Sequence, residues 1–289
     1  MRLACFLLMF IASVRLAAQT PDADYRIYDT RLQKETTVAA IAAGMQPGQV
    51  LVFGEQHDDS IGHLLEKQVL EALYREKGKE IILAMEMFHR DVQYIVDEYL
   101  AGLISEKNFI KEARAWDTYK SDYKPAVEFA KEKGLKVLAA NTPSRYTNLV
   151  TRKGLDALKD LDKEVRKKYI APLPIDTVTG AYYDKFLETM GGHTMPGMNL
   201  FQSQNLWDAT MAWSIAGALK KQKKAIVLML NGRFHSDYHL GMARRLAVDY
   251  KKTVVTISSF QADLEKPDWK QYAAQGDYII VTRGKEDAK

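Results

Sequence analysis

Two Gly-x-x-His motifs occur in the sequence, and each closely follows an apolar run. The first motif follows residues 50–53 and contains Glu55 and His57, while the second follows residues 225–230 and ends in His235. Imidazole and carboxylate side chains transfer protons near neutral pH, and they also bind divalent metals. The two motifs therefore indicate either acid–base chemistry or a metal site.

A third apolar run, residues 81–88, is interrupted by Glu86. A lone carboxylate in a buried strand costs several kcal/mol if it is ionised and unpaired, so Glu86 needs a partner or a function. With Glu55, His57 and His235 it would form a hydrolytic site, in which a histidine activates water and a glutamate orients it. Alternatively, His57, Glu86 and His235 would bind Zn, Mn or Fe in the two-histidine-one-carboxylate manner. A purely structural polar cluster is the third interpretation.

The alternation of apolar and amphipathic segments predicts the fold that has to position these residues. Further apolar strands are expected at 136–141, 253–257 and 278–282, with helical segments between the strands. This order predicts an α/β fold with a mostly parallel central sheet and helices on both faces. Ligands of such sheets bind beyond the carboxyl ends of the strands. We expect the two motif histidines within about 12 Å of each other, because neighbouring strands lie about 4.8 Å apart.

Residues 144–198 differ from the rest of the chain, because they contain charged helical segments and no evident strand. They are interpreted as a small helical insertion that lies over the carboxyl ends of the strands and covers the site. A long helix, residues 200–221, follows, and it carries Gln204 and Asp208 on one face. Both side chains are expected to contact a cofactor.

Residues 1–19 have the composition of a secretory signal peptide. A short basic start precedes an apolar run, and small residues around Ala18 mark the expected cleavage site. The mature chain, residues 20–289, is expected to form a single domain in the periplasm or outside the cell, without a transmembrane anchor. Cys5 is the only cysteine and precedes most of the apolar run, so it does not fit a lipid-attachment site. Its removal would leave no thiol for a disulfide or a metal.

The charge pattern also limits the class of partner. The net charge of +4 is small for 289 residues, and the lysines are spread along the predicted helices. A nucleic-acid-binding protein typically concentrates its basic residues in one patch. We therefore expect no nucleic acid partner.

Several motifs together resemble one known family and extend over about residues 35–260. The sequence is similar to the ChaN-like haem-binding family, which shares a superfamily with TraB proteins, Tiki proteases and erythromycin-esterase-like hydrolases. The motifs are Gly54-Glu55-Gln56-His57-Asp58, Met85-Glu86-Met87-Phe88, Trp116, Tyr123-Lys124-Pro125, Ala140-Asn141-Thr142-Pro143, Gln204-x-x-Trp207-Asp208-x-x-Met211-Ala212 and Gly232-Arg233-Phe234-His235. The resemblance implies an exported protein of haem and iron uptake that binds haem through a tyrosine. It also implies two haems stacked face to face across a homodimer.

Tyr146 is the favoured candidate for the haem ligand, because it follows the strand expected at 136–141 and stands beside Arg145. The arginine would favour the phenolate or pair with a haem propionate. The alternative is that Tyr146 is an ordinary surface aromatic residue. His193 lies in the glycine-rich segment 191–198, which would either fold over a planar ligand or serve as a plain linker.

Two functions of different classes follow from these observations. The first is an exported haem-binding protein, and the second is a secreted hydrolase of the Tiki or esterase type that uses the paired motifs. The remaining histidines, His63, His89 and His239, are expected to be exposed or to cap helices.

Overall fold

The computed structural model describes residues 24–177 and 179–283. The expected signal peptide, residues 1–19, lies outside the described residues. Within them, no helix has both the length and the apolar character that a membrane crossing requires.

The centre of the fold is an eight-stranded sheet. Its strands are β1 (Tyr25–Asp29), β2 (Lys34–Glu35), β3 (Val50–Glu55), β4 (Ile81–His89), β5 (Lys136–Asn141), β6 (Ile226–Gly232), β7 (Val254–Gln261) and β8 (Tyr278–Thr282). They are arranged in the order β2-β1-β8-β7-β3-β6-β4-β5. The β1–β2 and β1–β8 pairs at one edge are antiparallel, and all the other pairs are parallel. This confirms the mostly parallel sheet predicted from the sequence.

Eleven α-helices occur in the described residues. They are α1 (Val38–Gly44), α2 (Ser60–Lys77), α3 (Gln93–Leu100), α4 (Glu106–Glu112), α5 (Lys124–Lys133), α6 (Ser144–Lys153), α7 (Lys163–Tyr169), α8 (Ala181–Thr189), α9 (Leu200–Lys221), α10 (Gly241–Val248) and α11 (Trp269–Tyr272). Helix α6 was not anticipated from the sequence. Its ten residues are mostly polar, and only Tyr146, Thr147 and Val150 are buried.

Both faces of the sheet are covered by helices. Successive side chains of a strand point to opposite faces, so Leu51 and Phe53 pack with residues of α2 and α5, while Val50 and Val52 pack with residues of α9 and α10. A strand that is buried on both faces has to be apolar at every position. This explains why the central strands appear as uninterrupted apolar runs.

The described residues between 144 and 198 form helices and turns without a strand. A separate apolar cluster there joins α6 and residues near Ile170 to Leu206 and Ala209 of α9. The interpretation of this segment as an insertion within one domain stays a prediction.

Strands β3, β6 and β4 are neighbours at the centre of the sheet. In the β3–β6 pair, Gly54 lies opposite Asn231 and Glu55 lies opposite Gly232. Strand β4 runs parallel to β6 on its other side. The three polar interruptions seen in the sequence therefore meet at the carboxyl ends of three adjacent strands.

Candidate functional site

A cleft of about 440 Å³ opens at the carboxyl ends of β3 and β6. Its lining consists of Glu55, Gln56, His57, Asp58, Gln204, Gly232, Arg233, Phe234 and His235. The histidines of both Gly-x-x-His motifs face this one cleft, as the sequence predicted.

His57 is held in the cleft by a buried carboxylate. Its Nδ1 atom lies 2.5 Å from Oε1 of Glu55, and the Tyr123 hydroxyl donates to the same oxygen over 2.7 Å. The hydrogen bond with Glu55 raises the pKa of His57, although burial acts in the opposite direction. The His57 side chain is 51% exposed. It therefore presents its Nε2 atom to the cleft, with its ring orientation fixed from behind.

The glycine of each motif lies in close contact with residues of the other motif. A Cβ atom on Gly232 would lie 2.8 Å from Nε2 of His57, which belongs to the first motif. A Cβ atom on Gly54 would lie 2.8 Å from Oγ of Ser236 and 3.0 Å from Cα of Arg233, just after the second glycine. Each glycine thus leaves space for residues of the other motif, because any larger residue would clash.

His235 is buried between two carboxylates. Its Nδ1 atom lies 2.7 Å from Oδ1 of Asp208, and its Nε2 atom lies 3.5 Å from Oε1 of Glu86. Burial lowers the pKa of His235, but the charges of Glu86 and Asp208 outweigh burial and raise this pKa to about 10. Both ring nitrogens therefore carry protons at neutral pH, so His235 is a buried cation and not a base.

Glu86 connects the second motif to β4. Its Oε2 atom accepts a 2.9 Å hydrogen bond from the backbone N–H of Gly232. Burial acts to raise the pKa of Glu86, but the charge of His235 and the hydrogen bond between them lower it. The lone carboxylate in the apolar strand is therefore ionised and paired, as its position in the sequence required.

Helix α9 carries two residues, Asp208 and Gln204, whose side chains contact His235. Asp208 is fully buried and accepts a hydrogen bond from the Tyr182 hydroxyl as well as contacting His235. The side-chain amide of Gln204 lies 3.0 Å from Nδ1 of His235 and 3.2 Å from the Tyr182 hydroxyl. Gln204 also lines the cleft, whereas Asp208 acts on it only through His235.

Residues 41–246 match the model of the family described as haem-binding uptake, Tiki superfamily, ChaN. The chain belongs to this family. The match spans more than half of the 289 residues and confirms the resemblance recognised from the motifs. None of the curated proteins matches the chain.

Several solved structures are similar to this ChaN-family chain, and one of them shares its fold. One, reported as cofacial haem binding to ChaN of Campylobacter jejuni, has a TM-score of 0.65 at 18% identity and covers 90% of this chain and 97% of its own. The type III effector HopBA1 has a TM-score of 0.46 at 11% identity, with 86% and 92% coverage. The erythromycin esterase EreC, a mutant in its open conformation, has a TM-score of 0.46 at 11% identity, with 90% and 83% coverage.

The haem-ligand candidates named from the sequence lie outside the cleft of this ChaN-family chain. Tyr146 is only 7% exposed, because the first turn of α6 directs its ring into the apolar cluster with Leu206. It is therefore not a surface aromatic residue. Arg145 covers the Tyr146 ring, with 4.5 Å between the guanidinium carbon and the ring centroid, and it forms an ion pair with Asp91. His193 is exposed in the loop between α8 and α9.

That loop borders a second concavity of about 450 Å³ between α8 and α9, which we call the aromatic groove. Its apolar lining includes Tyr183, Phe186, Met195, Met198, Leu200 and Phe201. The ring centroids of Tyr183 and Phe201 are 4.9 Å apart, and Met195 and Met198 are 51% and 47% exposed. Tyr182 separates the groove from the cleft, since its ring contacts Phe201 on one side and Phe234 on the other.

The expectation that His63 is exposed is wrong. His63 is buried on α2, where its Nε2 atom lies 3.1 Å from the backbone oxygen of His57 and its Nδ1 atom lies 3.2 Å from Oε2 of Glu66. Burial and the nearby charge of Glu55 raise the pKa of Glu66 well above its ordinary value. The available signal was the position of His63 and Glu66 on the same helix face as Val69 and Leu73.

His89 and His239 differ in their exposure to solvent. His89 is partly buried and occupies the N-cap position of the short 3-10 helix Arg90–Val92, without a side-chain capping hydrogen bond. Its burial lowers its pKa. His239 has a side chain that is 49% exposed, in agreement with the expectation.

The metal site expected from the sequence is not assembled where the motifs suggested. The ligand atoms of His57, Glu86 and His235 do not all lie within 4.8 Å of one another. Nδ1 of His235 faces Asp208, and its Nε2 faces Glu86. In the described part of the chain, only Glu55, His63 and Glu66 have ligand atoms that all lie within 4.8 Å of one another.

Proposed function

We propose that this protein is an exported haem-binding protein of haem and iron uptake, and that it binds haem in the aromatic groove. The observation that carries the proposal is the open, aromatic and methionine-rich surface of the groove. Membership of the haem-binding ChaN family supports it. A large apolar patch on a protein surface typically marks a binding site, because its exposure to water is unfavourable.

The composition of the groove fits haem. A haem requires apolar side chains against its ring and an axial ligand for its iron, and tyrosine is one of the ligands that proteins use. Phe186 and Phe201 supply flat apolar surface, and methionine side chains adapt to irregular ligands. Tyr183 brings a phenol to the same wall, and His193 lies next to the groove residue Thr194. We propose Tyr183 as the tyrosine ligand, with His193 as a neighbouring second candidate.

Tyr183 is preferred over Tyr146 on grounds of access. The ring of Tyr146 is buried beneath Arg145, whose charge is already paired with Asp91. Ligation by Tyr146 would require α6 to move away from α9, whereas Tyr183 is only half-buried in an open groove.

The proposed complex is a homodimer. A shallow groove covers one face of a haem and leaves the other face in water, so stacking against the haem of a second copy would bury both inner faces. Cofacial haem binding in ChaN of Campylobacter jejuni, which has the same fold, supports this arrangement. Binding that requires two copies makes the apparent affinity depend on the protein concentration.

Titration with ferric haem tests the proposal. We expect the purified protein to shift the Soret band, and Tyr183→Phe to lose the high-spin tyrosinate spectrum while remaining folded. Tyr146→Phe and the control Tyr94→Phe, at an exposed tyrosine of α3, should keep that spectrum. Loss with Tyr146→Phe alone would instead assign the ligand to α6, and an unshifted Soret band in the parent protein would refute haem binding.

The hydrolase alternative rests on His57, whose ring is oriented by Glu55 in the manner of a general base. His235, the histidine of the second motif, is less suitable as a general base because its raised pKa keeps it protonated. His57→Ala separates the two functions, because haem binding in the groove should be unaffected. Loss of an ester- or peptide-cleaving activity with haem binding intact would favour the hydrolase.

A further inference from the structure

A group of buried ligand atoms lies at the carboxyl end of β3 and shares Glu55 with the cleft. We call Glu55, His63 and Glu66 the inner triad. Glu55 ends β3, and His63 and Glu66 lie three residues apart on the buried face of α2. Their ligand atoms all lie within 4.8 Å of one another.

The orientation of His63 leaves one nitrogen available to the triad. Its Nε2 atom is 3.1 Å from the backbone oxygen of His57, so this nitrogen carries the proton and donates it. The Nδ1 atom faces Oε2 of Glu66 at 3.2 Å and Oε2 of Glu55 at 3.8 Å. A backbone carbonyl that holds the second ring nitrogen is the usual arrangement behind a metal-bound histidine.

Oε2 of Glu55 and Oε1 of Glu66 are buried and receive no hydrogen bond from an amide, hydroxyl or ammonium group. The Glu55 and Glu66 side chains are hydrogen-bonded to each other, so a proton on Glu66 lies between the two carboxyl groups. A metal ion bound by the triad would take the place of this proton.

The carboxyl groups of the triad have no lysine or arginine partner among the described residues. Glu55 and Glu66 lie within 4.0 Å of His57 or His63, and no lysine or arginine of the described residues lies within 4.0 Å of either carboxyl group. Asp122 adds a further carboxylate 3.8 Å from Nε2 of His63. Because burial and Glu55 raise the pKa of Glu66, a divalent cation would replace the proton on Glu66 and pair with both carboxylates.

We propose that the inner triad binds one divalent first-row metal ion such as Zn²⁺ or Mn²⁺, at a site that shares only Glu55 with the cleft and no residue with the aromatic groove. One imidazole and two carboxylates form a mixed nitrogen and oxygen donor set that suits these ions. The metal would hold Glu55 by one oxygen while the other oxygen orients His57. The inner triad is therefore a structural support of the cleft and independent of haem.

Metal analysis of the haem-free protein tests the proposal. We expect protein that was freed of metal with a chelator, incubated with Zn²⁺ or Mn²⁺ and gel-filtered to retain roughly one ion per chain. Its Tm should rise with the metal concentration, because the ion binds only the folded state. Protein that retains neither ion and shows no change in Tm would overturn the proposal.

Two isosteric variants locate the site. Glu66→Gln removes one charged ligand and should weaken binding of the same ion by roughly ten-fold or more. Glu86→Gln removes a buried carboxylate of the cleft that is outside the triad, and it should retain the metal. If Glu66→Gln retains the metal as the parent does, or if only Glu86→Gln loses it, the inner triad is not the site. A Glu66 side chain that merely shares a proton would tolerate the amide without any metal-dependent change in Tm.

Discussion

The Nε2 atom of His57 lies 2.8 Å from the position that a Cβ atom would take on Gly232. This contact joins the two motifs, since the histidine of the first fills the space left by the glycine of the second. Gly232 has an ordinary negative φ of −56°, so its requirement is steric and does not arise from the backbone conformation.

We predict that Gly232→Ala destabilises the protein by about 1–3 kcal/mol, the usual cost of forcing an extra methyl into a packed site. The displaced His57 ring should also lose its hydrogen bond to Glu55, so the pKa of His57 should fall towards its ordinary value. Urea unfolding and an NMR titration of His57 measure both effects.

Gly217→Ala is the matched control for this substitution. Gly217 lies inside α9, and a Cβ atom there would meet nothing within 4 Å. Its replacement should stabilise the protein by about 0.5–1 kcal/mol, because alanine is the better helix residue. Equal effects at the two glycines would show that the contact with His57 does not matter.

The raised pKa of His235 predicts a defined pH dependence. The folded-state pKa is about 10 and the ordinary value is 6.5, so this residue contributes stability that is complete below 6.5 and is lost as the pH rises through 10. The destabilisation caused by His235→Gln should therefore be larger at about pH 6 than at about pH 10. Comparison with the parent at each pH cancels the titration of other groups, such as Lys185, whose buried amine has a pKa lowered to about 8. A destabilisation that is the same at both pH values would contradict the buried cation.

Removing a charged partner of His235 should greatly lower the free energy of unfolding. Asp208→Asn keeps the shape of the side chain but removes one of the two carboxylates, and breaking a buried charge pair costs about 3–5 kcal/mol. Urea unfolding at neutral pH measures this loss. The exposed pair of Lys159 and Asp156 provides the control, since Asp156→Asn should cost less than about 1 kcal/mol.

Haem-linked dimerisation can be tested through the rim of the aromatic groove. Met195→Lys places a charge on an apolar wall, so it should weaken haem binding and prevent the haem-dependent increase in mass seen by analytical ultracentrifugation. Leu103→Lys changes a more exposed apolar residue outside the groove lining and should have no effect. A parent protein that stays monomeric at saturating haem would contradict the dimer.

Export makes a prediction about residues 1–19, which lie outside the described residues. Mass spectrometry of the mature protein should show removal of about 18 or 19 residues and no attached lipid. An intact amino terminus would exclude this form of export.

The sequence predicted the sheet and the pairing of the motifs because both depend on local patterns. Central strands that are buried on both faces have to be continuous apolar runs, and the chemistry at their ends interrupts those runs at Glu55, Glu86 and His235. The alternation of strands and helices then brings those ends together, whatever the packing of the individual helices.

The remaining parts of the site depend on packing between elements that are distant in sequence. The helical pattern placed His63 and Glu66 on an apolar face, but only the packing of α2 against β3 brings them to Glu55. The burial of Tyr146 was not predicted because α6 has few apolar residues, and this burial depends on the packing of α6 against α9. The aromatic groove joins α8, a glycine-rich loop and α9, and no single segment of the sequence carries its pattern.

A crystal structure of the ferric haem complex, with the iron located by its anomalous scattering, tests the central claim most directly. The account predicts iron in the aromatic groove, bound to the Tyr183 hydroxyl oxygen, with the haem of a second copy stacked against it. Iron in the cleft between His57 and His235, or iron bound to Tyr146, would contradict it.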